Sequence, residues 1–132
     1  MNLKSTVPSN REPIATVEEY QRALLRLRDE KLQSLDLPIF KAFCEAPDCT
    51  LTATRLAELC ELSAWNESNL RFGLLAQRIA RALGYKPTKR RDGTPRWWEA
   101  AALGSSDESA DANFRWTLRP ELVECLKKMR WV

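Results

Sequence analysis

The chain has 132 residues, a formal net charge of +3 and no histidine. This length fits one domain, and a hydrophobic fraction of 44% is enough for a core of ordinary size. The lack of histidine excludes His-containing catalytic triads, histidine acid–base chemistry and His-containing metal sites. No apolar run is long enough to cross a bilayer and the N-terminus lacks a signal-peptide core, so we expect a cytoplasmic protein.

The first half of the chain predicts an N-terminal arm followed by three helices. Residues 1–15 are polar and aperiodic, which indicates a flexible arm or a linker from a longer parent protein, and residues 16–132 are predicted to form the domain. The sequence Thr16-Val-Glu-Glu19 is a capping box and predicts the start of the first helix. Asp36 is a predicted N-cap of the second helix, and Thr52 is a predicted N-cap of the third.

A fourth helix is predicted over about residues 69–83, after a turn at residues 63–68. Gly84 follows its last apolar residue and is a typical helix-ending glycine. Residues 85–90 and 96–101 then look extended, and Asp92-Gly93 between them is a strong hairpin turn signal.

The last third of the chain predicts a loop, a strand and a helix. Residues 104–112 have the composition of a mobile loop. Residues 114–118 alternate as a strand does, and Pro120 begins a helix whose last turn is basic. The predicted fold class is therefore mainly α with a small antiparallel sheet (α+β), in the winged helix-turn-helix arrangement. The additional strand and C-terminal helix either close the sheet or contribute to a homodimer contact.

Charge is unevenly distributed along the chain. Residues 71–96 contain eight cations and one anion, for a net charge of +7, whereas residues 97–113 carry −4. The positive block coincides with the fourth helix and the predicted hairpin, which is the pattern expected of a nucleic-acid-binding element.

On a helical wheel, the fourth helix has an apolar back and a polar front. The front carries four residues that can bond base edges in a major groove, because Arg pairs with guanine and Gln with adenine. These candidate DNA-binding residues are Arg71, Gln77, Arg78 and Arg81. Leu70 and Leu74 interrupt this front, and they either pack under the hairpin or meet a thymine methyl group.

The hairpin supplies a second set of candidates. Cations in such a turn neutralise backbone phosphates and fix the register on DNA without reading sequence. These residues are Lys86, Lys89, Arg90, Arg91 and Arg96.

The segment from Arg78 to Trp98 resembles the recognition helix and wing of bacterial and phage winged-helix domains. The matching parts are Arg78-Ile-Ala-Arg-Ala-Leu-Gly84, Lys89-Arg-Arg-Asp-Gly93 and Arg96-Trp-Trp98. The domains it resembles are those attached to phage-type replication primase-helicases and to modification-sensing restriction enzymes, and the resemblance covers about residues 51–100. One departure is the turn from Glu61 to Ser68, which is longer than the usual three or four residues.

The tryptophans leave two interpretations open. Trp97 and Trp98 would point to opposite faces of a strand, so that only one can enter the core. Trp65 precedes the fourth helix. These side chains either cover the sheet together with Trp116 and Trp131, which is the favoured interpretation, or stack on a base.

The remaining chemistry predicts no cofactor, no metal and no catalytic site. The four cysteines lack a Cys-x-x-Cys pair, and Cys44, Cys60 and Cys125 fall in apolar helix stripes, so free thiols are favoured over zinc ligands. The carboxylates show no paired spacing. We therefore expect a protein that is not an enzyme.

Two functions are compatible with these patterns. The first is binding of double-stranded DNA, as a regulator of transcription or as an accessory of a mobile element or defence system. The second is a protein-interaction module that keeps the winged-helix scaffold, since a fold does not determine a function.

Overall fold

A computed structural model describes residues 12–105 and 113–132 of the chain. In these ranges the structure has five α-helices and a small three-stranded antiparallel sheet, so the predicted α+β class is confirmed. The helices are α1 (Val17–Glu30), α2 (Asp36–Glu45), α3 (Ala53–Leu59), α4 (Trp65–Leu83) and α5 (Pro120–Lys128). The strands are β1 (Thr50–Thr52), β2 (Ala102–Gly104) and β3 (Arg115–Leu118).

The start of α1 forms as the sequence predicts. Thr16 Oγ1 accepts a hydrogen bond from the Glu19 backbone N–H, and the Glu19 carboxylate accepts one from the Thr16 N–H, which completes the capping box. The residues just before Thr16 also pack against the domain. Ala15 is buried, and the Glu12 carbonyl accepts a hydrogen bond from Arg119. Packing therefore extends into the predicted arm, of which residues 1–11 lie outside the described part.

Two other predicted caps have different outcomes. Thr52 caps α3 by accepting from the Arg55 N–H, as expected. Asp36 is the first residue of α2 rather than its N-cap, and its carboxylate accepts from the Gln33 N–H and from Arg78.

The sheet has the order β1-β3-β2, with β3 in the middle. The register places Trp116 opposite Leu51 on one side and opposite Gly104 on the other. Strand β1 was not predicted, because Thr50-Leu51-Thr52 is too short to show alternation and precedes a strong helix cap. Strand β3 lies within the predicted strand at residues 114–118.

The largest correction concerns residues 85–101, which were predicted as two paired strands. Among the described residues, strand pairing in this region is limited to one isolated bridge between Lys89 and Pro95. Residues 97–100 form a 3₁₀ helix, and the paired strands come later, at β2 and β3. The Asp92-Gly93 turn itself is present, with Gly93 at φ +89° and the Arg90 N–H bonded to the Thr94 carbonyl. We refer to residues 85–96 as the basic hairpin.

The core is organised by a chain of aromatic rings. Phe72 on α4 contacts Phe43 on α2 and Trp116 on β3, with centroid distances of 5.0 and 4.8 Å. Phe114 continues the chain from Trp116 to Trp98, at 5.9 and 5.5 Å. Ring contacts of this kind bury large apolar areas and prefer tilted geometries such as these. The aromatic chain therefore ties α4 to both α2 and the sheet.

The C-terminal helix packs inside the domain. The buried residues of α5 are Leu122, Cys125 and Leu126, and this helix contacts α1. A homodimer through α5, which the sequence suggested, would therefore have to use the polar face of that helix, where Glu124 and Lys128 are exposed.

The two glycines Gly73 and Gly104 provide a matched test of this packing. A Cβ atom at Gly104 would lie less than 3.0 Å from ring carbons of both Trp98 and Phe114, whereas a Cβ at Gly73 on α4 meets nothing within 4 Å. We expect Gly104→Ala to lower the free energy of unfolding by about 1–3 kcal/mol through overpacking. Gly73→Ala should raise it by about 0.5–1 kcal/mol, because alanine loses less backbone entropy in a helix. Urea denaturation of both variants measures these changes, and equal effects would contradict the proposed packing of Gly104.

Candidate nucleic-acid interface

The fourth helix, α4, begins earlier in the structure than the sequence predicts. The helix begins at Trp65, four residues before the predicted start, so that only residues 60–64 separate it from α3. The unusually long turn expected between these helices is therefore absent. The connection is shorter because Glu67, inside the predicted turn, accepts hydrogen bonds from the Ser63 N–H and hydroxyl and so holds the first turn of α4.

The buried side of α4 is close to the predicted apolar back. Phe72, Leu75, Ala76 and Ile79 are fully or almost fully buried, together with Ala80. The arc opposite these residues, at 100° per residue, contains Leu70, Leu74, Gln77 and Arg81. We call these four residues the presented face of α4.

The presented face has an apolar half and a polar half. Leu70 and Leu74 are 55% and 44% exposed, so they do not pack under the basic hairpin. Gln77 is half-buried and Arg81 is exposed, one and two turns nearer the C-terminal end. The polar half is therefore the part of α4 that can hydrogen-bond a base edge.

The side chain of Arg78, a predicted base-reading residue, forms an ion pair with Asp36 within the domain. Its guanidinium donates two hydrogen bonds to the Asp36 carboxylate, Nη1 to Oδ1 at 2.9 Å and Nη2 to Oδ2 at 2.8 Å. The Asp36 side chain is only 3% exposed, so this carboxylate depends on its partner for compensation of its charge. Arg78 thus attaches α4 to the start of α2, and this ion pair occupies the guanidinium that the sequence analysis assigned to base reading.

Arg71 lies at the side of the presented face. Its Nε is 3.4 Å from Oε2 of Glu67, one turn earlier on α4, and both side chains are partly exposed. An exposed pair at this spacing contributes little to stability and breaks easily. Arg71 therefore remains close to the predicted surface but at its edge.

The basic hairpin is held beside the C-terminal end of α4. The Arg81 guanidinium lies 5.9 Å from the centre of the Trp97 ring, within cation–π distance. Trp97 is half-buried and Trp98 is buried, so the paired tryptophans divide between surface and core as expected, although on a 3₁₀ helix. Trp116 is also in the core, Trp131 contacts Phe40, and Trp65 is 37% exposed.

The hairpin cations fall into two groups. Arg90 and Arg96 bond the hairpin itself: Arg90 Nη1 donates to the Pro95 carbonyl at 3.0 Å, and Arg96 Nη1 donates to the Lys89 carbonyl at 2.7 Å. The side chains of Lys86, Lys89 and Arg91 are exposed. The bonds of Arg90 and Arg96 shape the turn, and the exposed cations place positive charge on its surface.

A buried carboxylate that the sequence analysis missed holds the base of the hairpin. Glu99 is 2% exposed, and its Oε1 accepts from the Tyr85 hydroxyl at 3.1 Å and from the Thr88 N–H at 2.8 Å. Its Oε2 accepts from the Thr88 hydroxyl. Burial, together with the negative charge of Glu99, raises the pKa of Tyr85 to about 12, so the phenol stays a donor at neutral pH.

Two further polar side chains, those of Arg119 and Tyr20, connect this region to the rest of the domain. Arg119 is 2% exposed and its Nε donates to the Glu99 carbonyl at 2.8 Å, while the Tyr20 hydroxyl donates to the Ala100 carbonyl at 2.7 Å. Burial raises the pKa of Tyr20 above its ordinary value. No local sequence signal pairs these residues, since Tyr20 and Ala100 are 80 positions apart.

The cysteines and carboxylates form no metal-binding group among the described residues. Burial raises the pKa of Cys44 and Cys125 to about 11, so both thiols are protonated at neutral pH. In the described ranges, no helix combines the length and apolar character needed to span a membrane.

Comparisons of the chain with family models, curated proteins and solved structures gave no match. Any assignment of function therefore rests on the residues and geometry described above.

The ion pair between Arg78 and Asp36 can be tested by its contribution to stability. We expect Arg78→Ala to lower the free energy of unfolding by about 2–4 kcal/mol, because a nearly buried carboxylate loses its partner. Arg81→Ala, three residues along α4, should cost less than about 1 kcal/mol because that guanidinium is exposed. Urea denaturation without nucleic acid measures both. Equal, small losses would show that Arg78 does not attach α4 to α2.

Proposed function

We propose that the chain binds double-stranded DNA through the polar half of the presented face and the basic hairpin. The observation that carries this proposal is the contact between Arg81 and Trp97, which sets the base of the hairpin against the C-terminal end of α4. At this position a helix face that can hydrogen-bond bases adjoins a turn whose exposed cations can neutralise phosphates.

The two parts of the surface would do different work. A major groove admits an α-helix, where Gln77 and Arg81 offer donors and acceptors of the kind that pair with adenine and guanine edges. Lys86, Lys89 and Arg91 would contact the adjoining phosphates, which fix orientation but carry no sequence information. This division follows the winged helix-turn-helix interpretation, with Arg78 removed from the reading set.

The self-bonded arginines of the hairpin would act less directly. Arg90 and Arg96 keep their positive charge while their donors hold hairpin carbonyls and hydroxyls. They would raise the local potential felt by a polyanion without making the directed contacts of an extended side chain.

The apolar half of the presented face favours the second candidate, a protein-interaction module. Leu70 and Leu74 lie one helical turn apart on the exposed side of α4. Exposed leucines at this spacing are typical anchors for a helix groove or a second helix. This candidate predicts that a partner protein, rather than a polyanion, covers the centre of α4.

Binding of a labelled random-sequence duplex, followed by fluorescence anisotropy at several salt concentrations, tests the first proposal. We expect micromolar affinity that falls steeply with salt, because each neutralised phosphate releases counterions. Lys89→Ala should weaken binding to every duplex and reduce the salt slope by about one. Lys128→Ala on α5 is the control, since it removes the same charge from outside the proposed surface and should leave the slope unchanged.

Two results would contradict DNA binding through this surface. One is no binding even at low salt. The other is an equal loss in the Lys89 and Lys128 variants, which would mean that only net charge matters. If DNA binding fails, Leu70→Ser with Leu74→Ser becomes the informative variant, because its failure to bind a partner protein that the native chain binds would support the interaction module.

A further inference from the structure

We propose that Glu99 is the positioning residue of the basic hairpin: its buried carboxylate fixes where the exposed cations stand, and it is required for their phosphate contacts although it is itself an anion. This inference rests on the proposed DNA binding for its functional part. Its structural part stands on the geometry alone.

The Glu99 carboxylate is buried beneath the hairpin. Glu99 lies on the 3₁₀ helix Trp97–Ala100, at the base of the hairpin, and is almost fully buried. A buried carboxylate is costly unless several donors compensate it. Here three donors do so, and all three belong to the first strand-like arm of the hairpin: the Tyr85 hydroxyl, the Thr88 N–H and the Thr88 hydroxyl.

Few backbone hydrogen bonds join the two arms of this hairpin. The described residues contain a single bridge, Lys89 to Pro95, where a full hairpin would have a ladder. This bridge consists of the Arg90 N–H donating to the Thr94 carbonyl at 2.8 Å and the Arg96 N–H donating to the Thr88 carbonyl at 2.9 Å, and the Arg90 and Arg96 side chains add bonds between the arms. Because so few backbone bonds hold the arms, the bonds from Tyr85 and Thr88 to Glu99 set the direction in which the hairpin leaves α4.

Hydrogen bonds connect the Glu99 carboxylate to the basic side of the hairpin. The Thr88 hydroxyl accepts from Arg96 Nη1 at 2.9 Å while it donates to Glu99, and the same Arg96 nitrogen donates to the Lys89 carbonyl at 2.7 Å. A chain of bonds thus runs from Glu99 through Thr88 and Arg96 to the backbone of Lys89. Loss of the carboxylate would release this chain at its buried end.

The sign of the effect distinguishes this proposal from simple electrostatics. Glu99→Gln removes one negative charge beneath a DNA-binding surface, so charge alone predicts equal or tighter binding. Positioning predicts the opposite. We expect Glu99→Gln to weaken duplex binding about tenfold, which is the range for losing charge-assisted bonds to a buried acceptor.

The salt slope separates positioning from general destabilisation. A variant that is partly unfolded binds less at every salt concentration by the same factor, which leaves the slope unchanged. A variant whose hairpin is displaced loses phosphate contacts, so the slope should fall by about two. Glu124→Gln on α5 is the matched control, since it makes the same charge change at an exposed position and should not alter the slope.

Thr88 gives a pair of variants that changes no charge. Thr88→Val removes the hydroxyl that joins Glu99 to Arg96, and we expect it to reproduce the loss of affinity and of slope. Thr88→Ser keeps the hydroxyl and should retain the affinity and the salt slope of the native chain. This pair keeps the proposal testable if the Glu99 variant does not fold.

Limited trypsin digestion tests the structural part without DNA. The bonds after Lys89 and Arg90 lie in the hairpin, and we expect them to be cut about tenfold faster in Glu99→Gln and Thr88→Val than in the native chain or in Thr88→Ser. Faster cutting without DNA binding by the native chain would retain the hairpin assignment and reject the proposed function. Unchanged cutting together with an unchanged slope would overturn the positioning role of Glu99.

Discussion

The structure depends on one constraint, which is that residues 97–102 cross the interior without belonging to a long helix or strand. Ala100, Ala101 and Ala102 are completely buried. Backbone carbonyls in such a segment must find donors, because an unpaired buried carbonyl costs as much as a lost hydrogen bond. Tyr20 donates to Ala100 and Arg119 donates to Glu99, so two distant elements are drawn to this segment. The burial of these polar side chains is thus a consequence of the irregular backbone they satisfy.

The same constraint explains why the hairpin and the core are not independent. Glu99 uses its carbonyl for Arg119 and its carboxylate for Tyr85 and Thr88, so one residue connects the C-terminal part of the chain with the hairpin. Trp98 beside it packs on Phe114, and Trp97 lies under Arg81. Three consecutive side chains therefore point to three different environments, which a 3₁₀ helix permits and a strand does not.

Local signals predicted the parts of the fold that local contacts determine. The capping box at Thr16, the cap at Thr52 and the glycine at the end of α4 all formed as expected, because each involves residues within four positions. The strand-like appearance of residues 96–101 was misleading because the turn signal at Asp92-Gly93 does not show how far strand pairing extends beyond the turn. The pairing of Arg78 with Asp36 spans 42 positions and likewise leaves no local signal.

A helical wheel assigns residues to a face of a helix but does not show which of them lie at the edge of that face. Arg71 and Arg78 lie about 60–100° away from the centre of the exposed arc, at the edge where α4 turns toward its neighbours. At such an edge a long cationic side chain reaches the nearest buried carboxylate, and for Arg78 this is Asp36. The centre of the arc belongs to Leu70 and Leu74 at one end and to Gln77 and Arg81 at the other.

That division has a consequence for how α4 could meet a groove. A helix whose N-terminal half presents leucines and whose C-terminal half presents Gln and Arg cannot use its whole length for hydrogen bonding. If it enters DNA, the end next to the basic hairpin must go deepest, because only there do base-bonding and phosphate-neutralising side chains adjoin. The leucines would then lie over sugars or thymine methyl groups, or remain for a protein partner. The hairpin therefore determines the orientation of the helix, and Glu99 determines the orientation of the hairpin.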